Sequence, residues 1–119
     1  MHDDVGLETL LDLNGLAYRL DNGYWVKFEA WRVDANAHIP HGVRYSLTLH
    51  DSHNRRLVGF DNAHGYQLPR RKRYCGRRVV WDHHHHSDEQ VTPYEYESAA
   101  RLIEDFWAEV DRVLQGDGP

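Results

Sequence analysis

The segment Leu16-Ala17-Tyr18-Arg19-Leu20-Asp21-Asn22-Gly23-Tyr24-Trp25-Val26-Lys27-Phe28-Glu29-Ala30 reads as two strands folded back on one another. Leu16, Tyr18 and Leu20 alternate with Ala17, Arg19 and Asp21, the period-two pattern of a half-buried strand. Asn22-Gly23 follows, and both residues accept the positive φ that tight hairpin turns require. On the return, Tyr24, Val26, Phe28 and Ala30 share one face. A hairpin with one apolar side commits the chain to an antiparallel sheet that something must cover.

Downstream the same period recurs. Residues 34–42, with Asn, Pro and Gly, read as a loop. Val43, Tyr45, Leu47 and Leu49 then alternate with polar residues, Asp51-Ser52-His53-Asn54 turns the chain, and Arg56, Val58 and Phe60 form a fourth strand. Residues 62–76 are polar, basic and Gly-containing, which suits an extended loop. Arg77 to Trp81 is expected to be a fifth strand carrying histidines out at its end. The cover comes from residues 98–114, where Ala99, Leu102, Ile103, Phe106, Trp107, Val110, Val113 and Leu114 recur at helical spacing, with Gly116 just past the end. Two starts for that helix compete: a capping box at Thr92-Pro93-Tyr94-Glu95, or a short strand through Tyr94 and Tyr96 with Ser98 as N-cap. The second is preferred. Val5, Leu7, Leu10, Leu11 and Leu13 add a short N-terminal helix. The expected fold is α+β, a single domain over residues 1–119: an antiparallel meander of about five strands packed on one face by a C-terminal amphipathic helix.

The net charge is −5, yet Arg70, Arg71, Lys72, Arg73, Arg77 and Arg78 put six positive charges into nine residues and leave −11 on the remainder. A local positive field on an acidic protein is what a phosphate-bearing ligand needs, and Tyr74 within the run offers a ring to stack on a base. The plainer reading is a charged loop paired with acidic surface. The single cysteine, Cys75, excludes an internal disulfide and gives no sign of an oxidising compartment. No apolar run approaches the ~20 residues that span a bilayer. The expectation is a cytoplasmic protein without membrane contact.

Asp82-His83-His84-His85-His86 carries the chemistry. Another 33 residues follow it, so it is not a terminal tag. In extended backbone His83 and His85 point one way, and Asp82, His84 and His86 the other. One reading makes one histidine the general base on a ribose 2′-hydroxyl and another the acid for the leaving 5′-oxygen, with arginines stabilising the phosphate. A second places a transition metal on imidazoles with Asp82 or Asp61 and a ligand such as His64. A third leaves the run as a solvated loop.

Three segments together resemble the TumE family of small prokaryotic toxins of two-gene toxin–antitoxin systems. They are Leu20-Asp21-Asn22-Gly23 through Trp25-Val26-Lys27-Phe28; Arg44-Tyr45-Ser46-Leu47 leading to Gly59-Phe60-Asp61-Asn62-Ala63-His64; and Trp81-Asp82-His83-His84-His85 with Pro93-Tyr94-Glu95-Tyr96 and Leu102-Ile103-Glu104-Asp105-Phe106. Family members often carry an aromatic where His84 stands and a basic residue where His86 stands, so the resemblance draws attention to His83 and His85. It implies a toxin neutralised by a cognate antitoxin with a helix-turn-helix domain.

The residues themselves add the expected chemistry, endoribonuclease action without a metal or other cofactor. His83 and His85 would be acid and base, His64 a third participant, and Asp61 and Asp82 the groups that orient imidazoles. Arg70, Arg71, Lys72, Arg73, Tyr74, Arg77 and Arg78 would bind RNA. Two alternatives stay open: a non-catalytic RNA- or protein-binding module that inhibits by occupancy, and a metal-dependent nuclease. Assembly as a homodimer also stays open.

Overall fold

Pairing of backbone groups starts at the hairpin and spreads outward. The computed structural model describes residues 4–62, 66–67, 79–80, 82–86 and 90–116. Strands β1 (Ala17–Arg19) and β2 (Trp25–Arg32) pair antiparallel with Tyr18 opposite Val26. Both Asn22 (φ 62°) and Gly23 (φ 84°) take the left-handed backbone at the turn. β2 then pairs along its whole length with β3 (Val43–His50), and β3 with β4 (Arg56–Asp61).

The next strand departs from expectation. Within Arg77 to Trp81, Val79–Val80 forms β6, but it pairs with β5 (Tyr66–Gln67) in a separate two-stranded ladder. The neighbour of β4 is β7, His83–His85 itself, followed by β8 (Val91–Pro93). The histidines are therefore the strand, and the main sheet has six strands in the order β1-β2-β3-β4-β7-β8. A run of identical polar residues has no hydrophobic alternation from which to read a strand. What makes it one is the exposed hydrogen-bonding edge of β4, which β7 satisfies.

Two helices cover one face. In α1 (Leu7–Asp12) Leu10 is fully buried, and in α2 (Ala99–Leu114) Ala99, Leu102, Phe106 and Val110 are. Phe106 packs edge-on against Phe28 and Phe60, at 5.5 and 6.3 Å between centroids, with Tyr45, Leu47, Leu49 and Val58 completing the core. β1 lies at the sheet edge, where Leu16 and Tyr18 keep 40% and 45% of their surface exposed and Tyr18 packs edge-on against Phe28. The helix begins at Ser98, whose hydroxyl accepts from the Arg101 amide; residues 92–93 belong to β8, which rules out the capping box there. The short strand also ends sooner than Tyr94 and Tyr96 suggested.

Candidate active site

Alternation along β4 sends Phe60 into the helix-covered core and Asp61 to the opposite face. β7 meets it in the register Gly59↔His85, Phe60↔His84, Asp61↔His83. His83 and His85 therefore stand on the face of Asp61, where Gly59 contributes no side chain. His83 Nε2 lies 2.9 Å from one carboxylate oxygen of Asp61 and His85 Nε2 lies 3.0 Å from the other. The two rings are perpendicular, 4.6 Å between centroids.

The cluster is enclosed: side-chain exposure is 4% for His83, 13% for Asp61 and 15% for His85. Burial pushes the Asp61 carboxyl up, but hydrogen bonds from both imidazoles more than reverse this and hold it well below the usual carboxylate range. The three side chains offer three ligand-type atoms within 4.8 Å of one another, so they could hold a metal ion as well as a shared proton.

The other members of the run do different work. His84 turns to the core side and stacks on Phe60 at 4.1 Å, nearly parallel. Burial, and then the neighbouring His86, lower its pKa to about 4, and its Nε2 is buried without a hydrogen-bond partner among the described residues. His86 bonds Thr92 across the hairpin.

Asp82 does not join the Asp61 cluster through its described hydrogen bonds. One of its oxygens accepts from the Tyr45 hydroxyl at 2.7 Å and meets His41 Nε2 at 2.9 Å. Tyr96 stacks on His41 at 3.9 Å. Burial, and then the Asp82 charge, raise the Tyr45 phenol well above its ordinary value. The imidazole that Asp82 meets is His41, a loop residue that no local pattern singled out. His64, Arg70, Arg71, Lys72, Arg73, Tyr74, Arg77 and Arg78 lie outside the described residues.

Asn62 is a second residue the sequence did not mark for a role. Fully buried, it uses its side-chain oxygen to accept from the Tyr45 amide (2.9 Å) and its amide nitrogen to donate to the Val43 carbonyl (2.7 Å). It prolongs the β3–β4 ladder beyond Asp61 and so fixes where that carboxylate stands. Its place in the Asp61-Asn62-Ala63-His64 stretch of the family resemblance is the sequence signal that could have found it.

Six antiparallel strands, helices on one face and a two-histidine, one-carboxylate cluster on the other define a small α+β protein with a polar centre built on its sheet. The chain belongs to the TumE family: the model of the family described as Toxin TumE matches residues 8–114, nearly its whole length. Membership makes it a toxin of a toxin–antitoxin system, with an antitoxin as partner. No curated protein and no solved structure matches it. Among the described residues no helix is long and apolar enough to cross a membrane.

Proposed function

We propose that the toxin is an endoribonuclease and that Asp61, His83 and His85 are its reacting centre. The observation that carries this reading is the convergence of two imidazole Nε2 atoms on one carboxylate, away from the helices. A carboxylate hydrogen-bonded to two imidazoles fixes the orientation of both rings before substrate arrives. The same sheet face carries Trp25 stacked on His50 at 4.2 Å, together with Lys27; Lys27, Thr48, Gly59 and His85 form one row across four strands. Within that row Lys27 is exposed and bridged to Glu29 at 3.4 Å, while Thr48 and Gly59 are buried; Lys27 and the Trp25–His50 stack are the cation and the rings this face offers a nucleic-acid strand. The rings of His83 and His85 approach from one strand and so flank a phosphate on one side only. A second proton-transfer group would come from elsewhere, His64 being the candidate the sequence names. The antitoxin is proposed to be of the helix-turn-helix type and the setting the prokaryotic cytoplasm.

The test is a His83→Ala/His85→Ala double variant, compared with the parent in labelled-RNA cleavage and in growth arrest on induction. Loss of both, with RNA binding retained, is the expected result. Growth arrest that survives both substitutions would replace the enzyme by a module acting through occupancy.

A further inference from the structure

We infer that Asp61, His83 and His85 together bind a first-row divalent transition-metal ion, of the kind Zn²⁺ represents. The inference rests on the three residues of the proposed centre but not on RNA being the substrate. Three ligand atoms come from two adjacent hydrogen-bonded strands, so the ladder, not a loop, sets their positions. Carboxylate-to-imidazole separations are 2.9 and 3.0 Å, and all three atoms lie within 4.8 Å. Around a tetrahedral ion with bonds of 2.0–2.2 Å, ligand atoms stand roughly 3.4 Å apart, so closure on an ion needs side-chain shifts on the order of 1 Å.

Two imidazoles and one carboxylate are a borderline donor set. It favours Zn²⁺, Mn²⁺, Fe²⁺ or Co²⁺ over Mg²⁺ and Ca²⁺, which prefer oxygen. Three protein ligands, the number found among the described residues, would leave a coordination position for water, which the ion converts to a nucleophile near neutral pH. Enclosure points the same way. A metal ligand can be as enclosed as His83, with 4% of its side chain exposed, because the ion and not the ligand meets the substrate. An ion at this point would supply the activated oxygen that two imidazoles on one side of a phosphate do not.

Titration of purified, chelator-treated full-length protein with Zn²⁺ by calorimetry, and with Co²⁺ by visible absorption, tests this. The His84→Phe/His86→Ala variant serves as the background, because those two histidines could bind metal on their own. One equivalent of Zn²⁺ and visible d–d bands from Co²⁺ are expected there, with affinity falling at least tenfold on Asp61→Asn or His85→Gln. Circular dichroism checks that each variant is folded; should Asp61→Asn not fold, His85→Gln decides. Binding that vanishes in the His84→Phe/His86→Ala background, or that His85→Gln leaves unchanged, overturns the inference. RNA cleavage in chelator by metal-free protein also overturns it while leaving the ribonuclease reading in place. One bound Zn²⁺ with RNA left intact does the reverse.

Discussion

His84 sits between residues whose side chains point the other way, and its own ring is held neutral against the core. It is stacked on Phe60 with a buried nitrogen that has no partner among the described residues, and burial lowers its pKa to about 4. The unfolded chain takes up a proton on this histidine near ~6.5, whereas the folded chain resists until about 4. Between those values the unfolded state binds more protons, so stability falls as pH drops from ~6.5 towards 4 and is unaffected by this group above ~7. Discounted for the ring's partial exposure, the loss is on the order of 1–2 kcal/mol. His84→Phe keeps the stack and removes the nitrogen. It should raise the melting temperature and flatten the decline between pH 6.5 and 4, as followed by thermal melts across that range. Asn62→Ala should act in the opposite direction, costing about 1–3 kcal/mol in urea unfolding, because the Tyr45 amide and Val43 carbonyl lose their partner where water is excluded.

At the scale of elements, legibility followed hydrophobic period. β2, β3, β4 and α2 announced themselves because each alternates or repeats against a core; Val26, Phe28, Leu47, Phe60 and Phe106 are all buried where the pattern puts them. β7 did not, because its partner is chosen by the edge of β4 and not by its own composition. The start of α2 shows the same division. Ser98 is a local cap and could be read, but the Ala99 amide donates to the Asp4 carboxylate at 2.6 Å and the Ala100 amide to the Val5 carbonyl at 2.7 Å. Contacts from 95 residues away leave no local trace. Gly6, at φ 82°, allows that arm to lie against the helix, since a Cβ there would come within 2.8 Å of the Ala100 backbone. Asp4→Ala is expected to cost about 1 kcal/mol, and Gly6→Ala more, with faster hydrogen exchange confined to the first turn of α2 as the signature.

Across the whole molecule, the sheet divides labour between its faces. The side under the helices holds the core, so Phe106→Ala should cost about 3–5 kcal/mol and abolish function only through unfolding. The far side holds Asp61, His83 and His85, where His85→Gln should silence the toxin while the denaturation midpoint moves far less; parallel urea melts and growth assays separate the two classes. The Asp61 cluster was half legible: strand alternation paired His83 with His85, and the family resemblance weighted that pair, but only the register of β7 on β4 shows why Asp61 faces both. Asp82, beside them in sequence, went to His41 because adjacent strand residues face opposite ways. The burial of the histidine strand has a practical corollary. In the folded chain four consecutive imidazoles are split between two faces, with His83 nearly sealed, so a nickel resin meets far fewer of them than in the unfolded chain. Retention on such a resin becomes a gauge of conformation: weak for native protein, strong in denaturant, and intermediate for any variant that loosens the strand.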